Sequence, residues 1–165
     1  MKLNVCIQED VDAFVRFVKS HAPEGVYCLI NNAGIADGTF LELSSMESWE
    51  RTIQVNLIGA MRMAKAVIPL LRDFGRGSRI INISSAASFA CLPGMTSYSA
   101  SKSAIRMAGD ALRFELAPFG IHVTSIMPGF FKTAIVESPK RAIDQYKKAP
   151  AHIQQGLSLI ASSLV

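Results

Sequence analysis

Arg79-Ile80-Ile81-Asn82-Ile83-Ser84-Ser85 and, thirteen residues after Ser85, Tyr98-Ser99-Ala100-Ser101-Lys102 form the stretch on which the fold of this chain turns. Arg79 to Ile83 is a short apolar run closed by two hydroxyls. It reads as a buried strand with Ser84-Ser85 at its carboxyl end. A loop with Pro93-Gly94 follows. The next segment predicts a helix that carries Tyr98 and Lys102 and runs to about Leu116, where Pro118 and Gly120 punctuate its end. Ile121 to Met127 predicts another strand, stopped by Pro128-Gly129.

The same alternation continues outward. Val26 to Ile30 reads as a buried strand closed by Asn31-Asn32-Ala33-Gly34, and Leu3-Asn4-Val5 as the tail of an earlier strand. Val11, Phe14, Val15 and Val18 mark one face of a helix over Val11 to Lys19. Ser44-Ser45-Met46-Glu47 fits a capping box with Ser44 as N-cap. Trp49, Ile53, Leu57, Ala60, Ala64, Val67, Ile68 and Leu71 then keep helical spacing up to Gly75-Arg76-Gly77. Asn56 interrupts that run with a poor helix former, which predicts a bend or break. Thr133 to Val165 reads as one or two helices broken around Pro150. Strands alternating with helices predict an α/β fold, a Rossmann-like parallel sheet with flanking helices. Ligands bind such sheets beyond the carboxyl ends of the strands. Asn31 to Gly34, Ser84-Ser85 and Pro128-Gly129 all fall at carboxyl ends and so describe one cleft.

Within that cleft Tyr98 and Lys102 share one helix face, four residues apart. An ammonium beside a phenol favours the phenolate, and a tyrosine so placed exchanges protons with an alcohol or carbonyl near neutral pH. Taken alone, the pair also reads as an ordinary exposed helix pair. Asn31 to Gly34 alone reads as a turn, Ser85 as a cap, Asn56 as a buried structural amide and Pro128-Gly129 as a strand stop. Their conjunction carries the functional reading.

Composition narrows the remaining classes. The chain has 165 residues, enough for a single domain with a real core. Half of them (50%) are apolar and 18% charged, which excludes disorder. The net charge of +4 is scattered. Its densest patch, Lys140-Arg141 with Lys147-Lys148, lacks interleaved aromatics and reads as a solvated helix face, so no nucleic-acid partner is expected. Cys6, Cys28 and Cys91 are odd in number and far apart, and His21, His122 and His152 have no ligand spacing; no disulfide or metal site is expected. Met61, Met63, Met95 and Met107 read as packing residues. No apolar stretch reaches membrane-spanning length.

The motifs Asn31-Asn32-Ala33-Gly34, Asn56 between Val55 and Leu57, Ser85, Tyr98 with Lys102, and Pro128-Gly129 with Thr133 resemble, in order and spacing, the short-chain dehydrogenase/reductase family. The run Leu112 to Thr133, with Phe114-Glu115-Leu116 and Phe119-Gly120, is similar to one branch of it, that of retinol dehydrogenases, 17-beta-hydroxysteroid dehydrogenases and D-beta-hydroxybutyrate dehydrogenase. The resemblance implies an oxidoreductase that uses NAD or NADP to interconvert a lipophilic alcohol, steroid- or retinol-like, and its carbonyl. It implies Tyr98 as general acid/base, Ser85 as the hydrogen-bond donor to the substrate oxygen, Lys102 on the nicotinamide ribose, and Asn56 anchoring a water that links Lys102 to solvent. Asn31, Ala33 and Gly34 would border the cofactor riboses, and Tyr98 with Lys102 would contact the cofactor as well. Pro128, Gly129 and Thr133 would cover the nicotinamide, and residues from about Ala134 to Val165 would form a substrate lid. The apolar Ile135, Val136, Ile153, Leu157, Leu159 and Ile160 in that lid suit a greasy substrate.

Family resemblance further implies a homodimer or larger assembly packed through the helices at Ser45–Leu71 and Tyr98–Leu116. It implies an intracellular setting, cytoplasmic or at the endoplasmic reticulum membrane, with membrane association through an N-terminal segment not present here. The chain departs from the family in lacking the glycine-rich TGxxxGxG turn that holds the cofactor phosphates. In the family's strand order, 3-2-1-4-5-6-7, the strands present would be the end of strand 3, then 4, 5 and 6. The expectation is therefore a single partial domain, truncated at both ends, with an apolar strand edge left open at Val26 to Ile30. A non-catalytic fragment acting by association, and a family member doing epimerisation or dehydration, remain alternatives at this level.

Overall fold

The computed structural model describes the backbone of residues 1–129 and 138–162, and side chains throughout except at 138–142, 157 and 159–162. Its centre is a three-stranded sheet of β1 (Cys28–Asn31), β2 (Arg79–Ile83) and β3 (His122–Ile126), all parallel, in the order β1-β2-β3. The helices are α1 (Gln8–His21), α2 (Met46–Ile53), α3 (Ala60–Phe74), α4 (Thr96–Leu116), α5 (Ser138–Lys148) and α6 (Ala151–Ser162). Strands β1 and β2, and then β2 and β3, are joined through helices, as a parallel sheet requires.

Register puts Leu29, Ile80 and Val123 in one row across the sheet. All three are buried against Met63, Ala64, Val67, Leu70 and Leu71 of α3, with Val11 of α1 and Leu116 of α4 closing the core. Val67, Leu71 and Ile80 are wholly enclosed, each worth about 1.5–3 kcal/mol of apolar burial. The alternation of a strand sends every second residue to the opposite face. There Ile30, Thr124 and Ile126 are exposed and Ile81 and Ile83 half-buried, so the described residues cover this face less than the other. The outer edge of β1 is likewise unpaired among them, as expected for the Val26–Ile30 segment.

Several expectations move. Leu3-Asn4-Val5 forms no strand. A strand needs a hydrogen-bonded neighbour, and these residues bond elsewhere: the Val5 carbonyl accepts from Arg62 Nη1 at 2.6 Å, and the Asn4 amide donates to Asp10 Oδ2 at 2.9 Å. Ser45, not Ser44, caps α2, accepting from the Ser48 amide at 3.2 Å. Ser44 is claimed by the Asp37 carboxylate, to which its hydroxyl donates at 3.1 Å. At Asn56 the helix does not break; it widens into a π-helical turn, Gln54–Gly59, that runs directly into α3. Such a turn is a common site of insertion into the helical ladder. Gly120 ends the turn after α4 with a left-handed φ of 70°. Among the described residues no helix is long and apolar enough to cross a membrane.

Candidate active site

The cleft lies at the carboxyl edge of the sheet, as the strand ends predict. The backbone beyond β2 is laced to that beyond β3: the Ser84 amide donates to the Ile126 carbonyl at 2.8 Å and the Ala86 amide to the Pro128 carbonyl at 2.9 Å. Ser85 therefore sits between two fixed peptides. Its hydroxyl accepts from the Ala87 amide at 3.1 Å and opens a short 3-10 turn, Ala86–Ser88. Pro128 is half-buried, Gly129 has no neighbour near the position a β-carbon would take among the described residues, and Thr133 lies outside them.

Tyr98 and Lys102 stand one turn apart on the buried face of α4. The ammonium lies 5.6 Å from the centre of the tyrosine ring. Lys102 Nζ donates to the Ile83 carbonyl at 2.8 Å, so this lysine spans from its helix back to the end of β2. Burial lowers its pKa from the usual lysine value to about 8. Among the described residues no carboxylate pairs with it.

Asn56 is brought beside this pair, but its amide is engaged. Oδ1 accepts from the Ile35 amide at 2.8 Å, and Nδ2 donates to the Ile35 carbonyl at 2.8 Å and to Ser101 Oγ at 2.9 Å. Both amide hydrogens are thus consumed within the protein, which leaves only acceptor capacity for a water. Ser101, fully buried, donates its own hydroxyl hydrogen bond to the Tyr98 carbonyl at 2.7 Å. Sequence reasoning missed Ser101, Ile35 and the Ile83 carbonyl. The one available signal for Ser101 was the excess of serines at positions 97, 99, 101 and 103 within a helix, where serine is a poor former unless its hydroxyl has a partner.

Gly34 also lies beside the lysine. A β-carbon there would lie 3.3 Å from Lys102 Nζ and 3.6 Å from Asn56 Oδ1. A side chain would fill the space beside the ammonium, whereas bare backbone leaves room for a hydroxyl acceptor, so this part of the cleft fits a ribose. Ala33 is exposed next to it. Asn31 goes elsewhere: its side chain is buried inside the sheet and Nδ2 donates to Asn82 Oδ1 at 2.9 Å. Its Nδ2 is thus committed to the sheet, and its backbone lies at the carboxyl end of β1. Over this edge the α5–α6 hairpin is tied by Tyr146, whose ring centre lies 6.4 Å from that of buried Phe40 in the loop beyond β1. Of the expected lid residues Ile153 is half-buried; Ile135 and Val136, and the side chains of Leu157, Leu159 and Ile160, lie outside the described residues. No cluster of His, Cys, Asp or Glu that suits a metal occurs among the described residues.

A model of the short chain dehydrogenase family matches residues 1–144. The chain belongs to that family. It is 38% identical over 145 residues to the mitochondrial D-beta-hydroxybutyrate dehydrogenase of Rattus norvegicus, a match that covers 86% of this chain and 42% of that one. It is 34% identical over 158 residues to the 17-beta-hydroxysteroid dehydrogenase type 6 of Bos taurus, covering 93% and 49%. A solved short-chain dehydrogenase from Streptomyces avermitilis superposes with a TM-score of 0.75 at 30% identity, over 82% of this chain and 50% of that one. The chain thus spans about half the length of these relatives or less. It is an oxidoreductase-family chain with a partial Rossmann-like sheet.

Proposed function

We propose that this chain carries the proton-transfer half of an NAD- or NADP-dependent dehydrogenase that interconverts a lipophilic alcohol, steroid- or retinol-like, and its carbonyl. The observation that supports it is the buried pairing of Tyr98 with Lys102 beside the bare backbone of Gly34. A nicotinamide cofactor, when bound, supplies the hydride chemistry. The chain's own residues do the rest. Tyr98 Oη takes the hydroxyl proton of the alcohol, and returns it in the reducing direction. Ser85 Oγ donates to the substrate oxygen and stabilises the charge that grows there. Lys102 Nζ donates to the ribose hydroxyls near Gly34. Phe89 and Leu92, exposed in the loop that follows Ser85, offer apolar contact to a steroid-like substrate. The names of the 17-beta-hydroxysteroid and D-beta-hydroxybutyrate relatives support a hydroxyl-bearing substrate.

A second reading has its own support. Met107 and Phe114, seven residues apart on α4, are 60% and 80% exposed. An apolar helix face of this kind suits pairing with a second subunit, catalytic or not. Titration of the purified chain with NADH and NADPH, followed by nicotinamide fluorescence, separates the two. Saturable binding, followed by turnover on a panel of steroids and retinol, is the expected result. A folded chain that binds neither nucleotide yet sediments as a dimer overturns the catalytic reading in favour of association.

A further inference from the structure

We propose that Ser84, the hydroxyl adjacent to Ser85, is a positioning residue that holds the Lys102 segment of α4 at its working distance from the end of β2. This rests on the catalytic reading of Tyr98 and Lys102 given above.

The geometry is reciprocal. Ser84 Oγ donates to the backbone carbonyl of Lys102 at 2.7 Å, while Lys102 Nζ donates to the backbone carbonyl of Ile83 at 2.8 Å. Two consecutive residues at the strand end thus grip the same lysine, one by its backbone and one by its ammonium. Ser84 is 3% exposed, and its amide is spent on the Ile126 carbonyl at 2.8 Å. It therefore ties α4, β2 and β3 at one point. A helix carbonyl has a second lone pair, so the bond from Ser84 costs the helix nothing. One residue further along, Ser103 Oγ donates to the Ser88 carbonyl at 2.8 Å, which fixes the far side of the loop that holds Ser85. Ser85 and Tyr98 are consequently mounted on parts held together by Ser84, although Ser84 itself reaches neither.

Without the Ser84 hydroxyl, the Lys102 backbone is free to shift relative to Ile83. A shift of about 1 Å is enough to reduce a reaction rate about a hundredfold. It also spoils the ammonium's bond to the Ile83 carbonyl, the only hydrogen bond the described residues give it. Tyr98, whose ring lies beside it, is the titratable neighbour among them.

The test uses the full chain with Ser84→Ala and Ser84→Thr, and reads the Lys102 amine by NMR titration of isotope-labelled lysine, which needs no turnover. Ser84→Ala is expected to move the Lys102 midpoint downward by about half a pH unit or more, because a buried ammonium loses its acceptor. Ser84→Thr, which keeps the hydroxyl, is expected to restore it. An unchanged or raised midpoint in Ser84→Ala overturns the proposal. Where turnover is measurable, kcat of Ser84→Ala is expected to fall about ten- to a hundredfold with KM held and Ser84→Thr near wild type. Loss of the nucleotide titration in wild type, with the NMR shift intact, rejects the catalytic reading and leaves the positioning of Lys102 standing. If Ser84→Ala does not fold, the isosteric pair Ser84→Thr and Ser84→Val makes the same comparison.

Discussion

Lys102 donates its ammonium to the Ile83 carbonyl at 2.8 Å, and this one bond replaces the water that a surface lysine would keep. The helix thereby buries a charge without a counter-ion among the described residues. A single carbonyl is weak compensation, and desolvation drops the lysine pKa to about 8.

That depression makes stability depend on pH in a defined direction. The folded pKa, about 8, lies below the unfolded lysine value of 10.5. Between those limits the unfolded chain holds more protons, so this group makes stability rise with pH. Below about 8 both states are protonated and the burial penalty is present in full. Lys102→Met removes the penalty. The urea midpoint of Lys102→Met is expected to exceed that of wild type at pH 7, with the gap narrowing as pH rises past 8 toward 10. A gap independent of pH over that range overturns the assignment.

Tyr98→Phe removes one oxygen and leaves the packing of α4 unchanged. If the proton passes through that oxygen, kcat in any form of the protein that turns over is expected to fall by about 10²–10⁴. Nucleotide binding, which the proposal assigns to Lys102 and Gly34, is expected to stay within about twofold. Turnover retained in Tyr98→Phe takes the tyrosine out of the reaction.

Asn56 offers a prediction in stability instead of rate. Its amide satisfies the Ile35 N–H, the Ile35 carbonyl and Ser101 Oγ. Asn56→Leu keeps the volume and removes the partner of the part-buried Ile35 N–H and carbonyl, while Ser101 Oγ keeps its bond to the Tyr98 carbonyl. Each of these two groups costs about 1–3 kcal/mol when left unpaired, so a loss of about 2 kcal/mol or more is expected from denaturant melts. A loss below about 1 kcal/mol would mean that water replaces the amide easily.

How far the sequence foretold this site depends on the kind of signal. Strand β2 and helix α4 lie where the residues place them, because Arg79 to Ile83 is bounded by a glycine turn and two serines, and Leu116 by Pro118 and Gly120. The carboxyl-edge cleft follows from parallel alternation alone. What was hidden is tertiary. Asn31 sits in a sequence that reads as a loop, yet register aligns it with Asn82, and the amide turns inward. Ser44 and Ser45 are equivalent as caps until Asp37, seven residues before Ser44, takes one of them. Leu3 to Val5 has strand composition, but composition supplies no partner strand. The π-turn at Asn56 was legible as an irregularity; its form was not, since the clasp on Ile35 comes from a loop twenty-one residues upstream.

Gly109 sets two effects against each other. Alanine in mid-helix gains about 1 kcal/mol over glycine. Yet a β-carbon there would lie 2.6 Å from Ser125 Oγ and 2.9 Å from Asn82 Nδ2, atoms that sit in the row Asn31, Asn82, Ser125. Overpacking of this kind costs about 1–3 kcal/mol, and Asn82 is held by Asn31 and cannot retreat. Gly109→Ala is expected to be net destabilising, and Gly109→Ala with Ser125→Gly to recover part of the loss. Equal or higher stability in the single variant means that the strand yields.

Ile30 tests the less covered face of the sheet. It is 58% exposed on edge strand β1, beside Ile81 across the register. An apolar face joined to a strand edge that is unpaired among the described residues favours self-association. Ile30→Lys puts a charge on that edge, while the residues facing α3, Leu29 and Asn31, point the other way and are untouched. Light scattering of the purified chain is expected to show less concentration-dependent growth for Ile30→Lys than for wild type, at an unchanged melting temperature. Met107→Lys on α4 serves as the comparison, since it charges the helix face and leaves the sheet alone. If Met107→Lys disperses the chain and Ile30→Lys does not, association runs through α4 and the open sheet is silent.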